Sequence, residues 1–186
     1  MRIAVVTGNP KPASRTHELA TFVATTLVTA LGAPAGADAS LTPDADPAAA
    51  GAPSVLDVDL AEHASRLFDW SDPELTRLTA EVAAADVAIF ASPTYKAAYT
   101  GMLKAFLDRY GSNGLAGTVA VPVMTGGWPG HLLAVEVHLR PVLVELGATV
   151  PARGLYVTEP ELPALDAAVA KWAETALPQL QRALTP

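Results

Sequence analysis

The sequence predicts an α/β fold in which a parallel sheet is covered by helices on both faces. Five short, mostly apolar runs alternate with stretches whose apolar residues recur at helical spacing. Glycine or proline lies close behind most of these runs, and both residues break regular structure. Strands that alternate with helices in this way are typical of a parallel sheet.

The first half of the chain contains two of these strand and helix units. The first strand is predicted at residues 3–7 and ends at Gly8. The apolar residues of the following helix recur at helical spacing and are Leu19, Phe22, Val23, Leu27 and Leu31. A second strand is predicted at residues 55–58. Asp72 and Pro73 begin the next helix, because Asp is a favoured N-cap and Pro suits the first helical position.

The second half of the chain continues the same alternation. The remaining strands are predicted at residues 86–91, 118–124 and 149–157, and the remaining helices at residues 100–110, 130–146 and 163–184. Pro151 and Gly154 interrupt the fifth strand, and Pro178 lies near the middle of the last helix. That helix forms most of a C-terminal helical tail at residues 160–186.

Residues 32–53 interrupt the alternation. The segment is rich in Ala, Gly, Pro and Asp and has no hydrophobic periodicity, so we expect a mobile surface insertion. The chain has 186 residues, a length that favours one domain over residues 1–186. Six acids and no Lys or Arg lie between Gly32 and Ser65, and they carry most of the net charge of −7.

Composition argues against several classes of function. The net charge of −7 disfavours a nucleic-acid partner, which needs a basic face. The absence of cysteine excludes disulfides, thiolate metal sites and cysteine nucleophiles. The four histidines show no metal-ligand spacing, so no metal is expected. The first apolar run is too short for a signal peptide or a membrane span, so we expect a cytoplasmic protein with no membrane partner.

The loop after the first strand is a candidate phosphate site. Ligands of open parallel sheets bind beyond the carboxyl ends of the strands. Ser14, Arg15 and Thr16 stand at a helix start, where free N–H groups and the helix dipole suit a phosphate monoester. Ser14 is equally consistent with a plain helix cap. The loop matches neither G-x-x-x-x-G-K-[ST] nor G-x-G-x-x-G.

The loops after the third and fourth strands suit a flat ligand. Pro93 fixes the turn after the third strand, and small residues around it let a ligand approach the backbone. After the fourth strand, Gly126 and Gly127 permit positive φ and close backbone approach. Trp128 is expected either to flank the ligand or to cover its own turn.

Together these loops resemble the NAD(P)H-dependent FMN reductase family. Residues 92–104 are similar to its S-P-x-Y-x-x-x-x-x-G-x-L-K signature, and residues 8–16 resemble its phosphate loop. The Tyr-Lys-Ala-Ala-Tyr sequence at residues 95–99 is typical of the branch that serves alkanesulfonate monooxygenases. Asn9 stands where the family often has Ser, and Lys11 where it often has Arg.

The resemblance implies a flavodoxin-like three-layer sandwich with strand order 2-1-3-4-5. It also implies FMN and NADPH or NADH as cofactors, with hydride transfer from the nicotinamide to flavin N5. The implied partners are a flavin-dependent monooxygenase that receives reduced flavin and further copies of the chain, as a homodimer or homotetramer. No side chain has to act as an acid or base, so no catalytic residue is assigned.

The resemblance also assigns cofactor-binding residues by loop. They are Asn9, Ser14, Arg15 and Thr16 in the first loop, Pro93, Thr94, Tyr95 and Lys96 in the second, and Thr125, Gly126 and Gly127 in the third. The first set takes the phosphate, the second contacts the isoalloxazine ring, and the third takes the ring edge.

Three other functions remain open at this level. FMN can stay bound while quinones, azo dyes or metal ions accept the electrons. The chain can also be a flavin-binding electron carrier without its own nicotinamide reaction, or an interaction protein that uses the fold as a scaffold. Val137 stands where the alkanesulfonate branch often carries an aromatic that affects flavin retention. Whether FMN is a substrate or a prosthetic group is therefore open.

Overall fold

The computed structural model describes residues 1–32 and 53–185. Its centre is a five-stranded sheet with every neighbouring pair parallel, in the order β2-β1-β3-β4-β5. The strands are β1 (Arg2–Thr7), β2 (Ser54–Asp59), β3 (Val87–Pro93), β4 (Val119–Gly126) and β5 (Leu155–Thr158). Fold class and strand order are thus confirmed. The insertion expected at residues 32–53 lies, apart from its two end residues, outside the described residues.

Five α-helices in the described part of the chain cover the sheet. They are α1 (Arg15–Leu31), α2 (Pro73–Ala83), α3 (Gly101–Leu107), α4 (Arg140–Glu145) and α5 (Leu165–Leu184). Short 3₁₀ segments lie at Leu60–Arg66, Pro129–His131 and Glu159–Ala164, and a π-helical turn lies at Val135–Leu139. Asp72 caps α2 as predicted, since its Oδ1 accepts from the backbone N–H of Leu75 at 2.9 Å. Within the described residues, no helix has both the length and the apolar character needed to cross a membrane.

The sheet has an apolar core on each face. Successive side chains of a strand point to opposite faces, and all inward positions of β1 are buried. Ile3 and Val5 pack with α1 and α5, whereas Ala4 and Val6 pack with α2, α3 and α4. Both faces are therefore covered, and ligands can reach the sheet only from its edges and loops.

The helix predicted at residues 130–146 is broken, and the expectation of one continuous helix is wrong. Pro141 has no N–H to donate to the carbonyl four residues earlier, and its ring crowds that carbonyl. The backbone instead widens into the π turn at Val135–Leu139, where the N–H of Arg140 donates to the carbonyl of Val135. The regular helix α4 begins only after this turn.

The fifth strand is shorter than the predicted residues 149–157. Pro151 cannot donate to a strand ladder, and the surrounding backbone groups bond side chains instead. Arg140 donates from Nη1 to the carbonyl of Val150 at 2.6 Å and from Nη2 to that of Ala152. Glu136 Oε1 accepts from the N–H of Gly154 at 2.6 Å. Regular pairing with β4 therefore begins only at Leu155.

Candidate functional site

A cleft of about 290 Å³ lies at the carboxyl edge of the sheet, where the loops after β1, β3 and β4 meet. Its lining residues are Asn9, Lys11, Ala13, Ser14, Arg15, Thr16, Pro93, Thr94, Tyr95, Thr125, Gly126, Gly127, Glu159 and Leu162. All of the binding residues expected from the sequence line it except Lys96. The three loops thus face one another, as parallel strand direction requires.

A chain of three polar side chains joins the first loop to the third. Asn9 Nδ2 donates to Thr16 Oγ1 at 3.2 Å, and Thr16 Oγ1 lies 2.7 Å from Thr125 Oγ1. Asn9 Oδ1 also accepts from the N–H of Lys11 at 3.0 Å. The side chains of Asn9, Thr16 and Thr125 are all buried and lie at the base of the cleft. Their hydrogen bonds therefore fix the spacing between the start of α1 and the end of β4.

The N-terminus of α1 faces the cleft. Ser14 is the N-cap, and its Oγ accepts from the N–H of His17 at 3.2 Å. The first intrahelical bond runs from the N–H of Glu18 to the carbonyl of Ser14, so the N–H groups of Arg15 and Thr16 precede it. Ser14 thus does cap the helix, and its own hydroxyl proton stays available to a ligand. Ser14 can therefore cap the helix and bind a phosphate at the same time.

Asp59, at the end of β2, braces the first loop from outside the cleft. Its buried carboxylate accepts from the N–H of Ala13 at 3.0 Å and contacts His17 Nδ1 at 3.1 Å. His17 Nε2 lies 2.8 Å from Asp57 Oδ2. Burial lowers the pKa of His17, but the hydrogen bonds and charges of Asp59 and Asp57 outweigh burial and raise it above 6.5. Ala13 has a φ of 47°, a left-handed conformation that this bond to Asp59 helps to hold.

Ser92 and Thr100 fasten the second loop. Ser92 Oγ accepts from the N–H of Thr100 at 2.9 Å and donates to the carbonyl of Pro93 at 2.8 Å. Thr100 Oγ1 donates to the carbonyl of Gly8 at 2.5 Å and caps α3 by accepting from Leu103. The buried hydroxyl of Ser92 thus explains the serine of the signature as a support of the loop backbone. Thr100 gives the same support from a position that the signature leaves open.

Between them, residues 95–98 form a two-residue turn. Tyr95 and Ala98 exchange both backbone hydrogen bonds, at 2.9 and 3.1 Å. Lys96 and Ala97 at the tip have φ values of 51° and 64°, as in a type I′ turn. Lys96 is exposed at this tip and does not line the cleft, whereas the half-exposed Tyr95 does.

Gly126 is needed for space. A Cβ at this position would overlap the Tyr156 hydroxyl and lie 3.2 Å from Thr94 Oγ1. Gly126 and Gly127 do not use the positive φ that glycine permits, since among the described glycines only Gly117 and Gly147 have positive φ. The third loop therefore uses glycine for close approach and keeps an ordinary backbone.

Trp128 covers its own turn. Its ring lies over Gly130 and meets the ring of His131 edge to face, with centroids 4.9 Å apart. The Tyr156 hydroxyl donates to the carbonyl of Trp128 at 3.2 Å. Trp128 is not among the residues that line the cleft. Of its two predicted placements, the structure shows the cover over the turn.

The chain resembles known proteins over most of its length. A profile of the family described as NADPH-dependent FMN reductase matches residues 1–161. The chain belongs to this family. The match covers β1 to β5, every loop of the cleft and the position of Glu159.

Curated relatives carry matching names. FMN reductase (NADPH) of Escherichia coli strain K12 is 40% identical over 93 residues, which are 50% of this chain and 49% of that protein. NADH-dependent FMN reductase SfnF of Pseudomonas putida is 28% identical over 166 residues, which are 85% of this chain and 77% of that protein. For the Escherichia coli protein, the chain spans about half the length of the relative it matches.

Solved structures support the same fold. An NADH:FMN oxidoreductase, EMOB, in its apo form superposes with a TM-score of 0.70 at 27% identity, over 92% of this chain and 87% of its own. An oxidoreductase from Corynebacterium diphtheriae gives a TM-score of 0.76 at 24% identity, over 98% and 96%. The second likeness concerns the fold alone.

The cleft fits the flavin that the reductase family is named for. Thr94 lines the cleft, and its buried Oγ1 has no hydrogen-bond partner within the described residues. A buried polar atom without a partner is costly unless a ligand supplies one. The N-terminus of α1, with Arg15 and Lys11, offers donors and positive charge at the other end of the cleft.

Sequence reasoning missed the two lining residues that lie outside the three loops, Glu159 and Leu162. Both follow β5, whose end also points to the carboxyl edge of the sheet. The signal was present, since a fifth parallel strand must deliver its loop to the same edge as the others. Glu159 Oε1 lies 3.5 Å from Arg15 Nη2, so this missed residue contacts a predicted phosphate ligand.

A second groove, of about 540 Å³, lies beside β5 and is larger than the cleft. Arg153, Lys171 and Trp172 line it, together with the side of α5. It contains none of the residues expected from the three loops, and it lies along an edge strand, away from the N-terminus of α1. The smaller cleft is therefore the better candidate for the chemistry of this family.

Proposed function

We propose that the protein reduces FMN with NADPH or NADH. The observation that carries this proposal is the cleft that is lined both by the N-terminus of α1 and by Thr94, whose buried hydroxyl has no partner among the described residues. One end of that space suits a phosphate and the other suits a flat polar ring. Membership of the FMN reductase family and the names of the relatives support the same activity.

The chain's own residues divide the work of binding. The N–H groups of Arg15 and Thr16, the Ser14 hydroxyl, and the side chains of Arg15 and Lys11 are the phosphate ligands. Thr94, Tyr95 and the backbone at Gly126 bind the ring. The cleft volume falls at the lower end of the roughly 300–1,000 Å³ usual for ligand sites. Part of the ring is therefore expected to remain outside, within reach of a second ring.

When bound, FMN accepts a hydride from the nicotinamide together with a proton, and yields reduced FMN and the oxidised nicotinamide. The protein's contribution is position and exclusion of wrong orientations, which is the usual division of labour with organic cofactors. The buried side chains at the base of the cleft are Asn9, Thr16 and Thr125, which are hydrogen-bonding groups that do not ionise at neutral pH.

A flavin titration followed by a nicotinamide oxidation assay tests the activity. We expect the protein to quench FMN fluorescence and to oxidise NADPH or NADH when FMN is supplied. Riboflavin, which lacks the phosphate, is expected to bind more weakly. The absence of turnover with either nicotinamide and any flavin or quinone acceptor would contradict the proposal.

We also propose that reduced FMN leaves and serves a flavin-dependent monooxygenase, with the chain assembled as a homodimer or homotetramer. The exposed side chains of Leu132, Leu133 and Val137 form an apolar segment that supports self-association. Sedimentation equilibrium tests the assembly. Steady-state kinetics with excess FMN separates this reading from a reductase that retains its flavin and passes electrons to quinones, azo dyes or metal ions.

A further inference from the structure

Of the described residues that line the cleft, Glu159 is the one carboxylate. Its presence is unexpected, because an anion-binding site gains nothing from a fixed negative charge. The other charged side chains of the cleft are Lys11 and Arg15, both cationic. Glu159 therefore cancels half of the side-chain charge that a phosphate would meet there.

The backbone holds Glu159 in this position. Thr158 pairs with Gly126 in the β4–β5 register, so the residue after it stands beside Gly127. A Cβ on Gly127 would lie 3.9 Å from the carboxyl carbon of Glu159. Glu161 Oε2 accepts from the N–H of Thr158 at 2.8 Å, as one half of a capping box, and also from Thr158 Oγ1 at 2.6 Å. These bonds hold the backbone of the turn, and the side chain of Glu159 lines the cleft from it.

The contact between Glu159 and Arg15 is easily exchanged. The closest N to O distance is 3.5 Å, and the two side chains are 55% and 63% exposed. Exposed pairs of this kind contribute about 0–1 kcal/mol. A phosphate, which carries about two negative charges and can accept several bonds at once, is a stronger partner for the guanidinium. It must nevertheless displace the carboxylate and then lie close to it.

We propose that Glu159 is a specificity-determining residue that competes with the flavin phosphate for Arg15 and thereby lowers the affinity for FMN. The inference rests on the proposed function, and it identifies Glu159 as the residue that allows bound FMN to dissociate. The competition acts only on phosphorylated flavin, so riboflavin is indifferent to it. With the Glu159 carboxylate present, FMN binds as a substrate that leaves after reduction. Without its charge, FMN binds more tightly and behaves more like a retained cofactor.

Two charge-neutralising variants test the proposal, Glu159→Gln and the matched control Glu18→Gln. Glu18 is exposed in the first turn of α1, close to the same helix terminus, and does not line the cleft. FMN and riboflavin affinities are measured by fluorescence quenching at low and high salt, and FMN dissociation by stopped flow. Urea unfolding of each variant confirms that the fold is retained.

Glu159→Gln is expected to bind FMN about three- to tenfold tighter at low salt, because unit charges about 4 Å apart interact by about 1 kcal/mol even in water. FMN dissociation should slow by a similar factor, and riboflavin affinity should stay within about twofold. The gain should shrink near 1 M salt, where the Debye length is about 3 Å. Glu18→Gln should leave both flavins unchanged.

Three results would overturn the inference. They are unchanged FMN affinity in Glu159→Gln, an equal gain for riboflavin, and an equal gain for FMN when the substitution is made in an Arg15→Ala background. The last result would show that Arg15 is not the contested partner. A wild-type chain that binds no flavin would instead overturn the proposed function itself, so the two failures are distinguishable.

Discussion

The hydroxyl oxygens of Thr16 and Thr125 lie 2.7 Å apart, although the two residues are separated by 109 positions in sequence. One stands in the first turn of α1 and the other near the end of β4. Both are buried, so no water replaces their bond. This contact links the start of α1 to the end of β4 across the base of the cleft.

Thr16→Val should therefore weaken both the fold and FMN binding. Valine keeps the shape of threonine but removes a hydroxyl that bonds Asn9 and Thr125. Leaving buried partners unsatisfied costs about 1–3 kcal/mol. Urea denaturation and an FMN titration of the same preparation measure the two effects.

The double variant Thr16→Val/Thr125→Val is the control for this bond. Removing both partners of a buried pair leaves fewer unsatisfied atoms than removing one. The double variant should thus lose less stability than the sum of the two single variants. Strict additivity would show that the 2.7 Å contact does not couple the loops.

Gly126→Ala should reduce FMN affinity. The added Cβ overlaps the Tyr156 hydroxyl and lies 3.2 Å from Thr94 Oγ1, so the wall of the cleft must shift. Tyr156→Phe removes the overlapping oxygen and should restore part of the loss in a double variant. Isothermal titration with FMN measures both changes.

Gly127→Ala is the matched control for this crowding. A Cβ at Gly127 has only the Glu159 carboxyl group near it, at 3.9 Å or more, which is ordinary contact. We expect FMN affinity within about twofold of wild type, since no atom has to move. An equal loss in both glycine variants would contradict the role of Gly126 as the tight approach.

Arg15→Ala should weaken FMN more than riboflavin. The guanidinium is exposed at the mouth of the cleft, and the phosphate is the part of FMN that an arginine binds best. A loss of about tenfold for FMN is expected at low salt. Lys171→Ala removes the same charge outside the cleft and should change neither affinity. Equal weakening of both flavins by Arg15→Ala would show that Arg15 does not hold phosphate.

His17 should make stability depend on pH. Its pKa is raised in the folded state, because Asp59 and Asp57 outweigh the effect of burial. The stabilisation is complete below the unfolded pKa of about 6.5 and is lost as the pH rises through the higher folded value. The free energy of unfolding of wild type minus that of His17→Gln should therefore fall as the pH rises above about 6.5. A difference between wild type and His17→Gln that stays constant with pH would contradict the brace between α1 and β2.

The sequence predicts the strands well because their signal is local. β1 to β4 were predictable to within two residues from short apolar runs bounded by Gly or Pro. Strand order was not deducible in the same way, since it depends on pairings between distant residues, and the family resemblance supplied it. The π turn before Pro141 was not predicted either, because hydrophobic periodicity does not reveal the one extra residue that a π turn contains.

The site residues were predictable where they lie in a loop directly after a strand. They were not predictable where the direction of a turn decides whether a side chain lies in the cleft. Glu159 was missed because its place in the cleft depends on β5 lying against β4. Lys96 was expected at the ring, yet the turn at residues 95–98 places it outside the cleft. That turn needs positive φ at Lys96 and Ala97, a conformation that the sequence does not predict for lysine or alanine.

Ala97→Gly should stabilise the protein, because Ala97 lies at the tip of this turn. Ala97 has a φ of 64°, a conformation that costs a residue with a Cβ about 1–2 kcal/mol and glycine nothing. After the larger entropy loss of glycine on folding, a net gain of about 0.5–1 kcal/mol is expected, seen as a higher melting temperature. Ala98→Gly is the control, since Ala98 lies in the same turn at negative φ and should gain nothing. A lower melting temperature for Ala97→Gly would mean that the strain is held by contacts of the methyl group, and the turn would then be part of the binding surface.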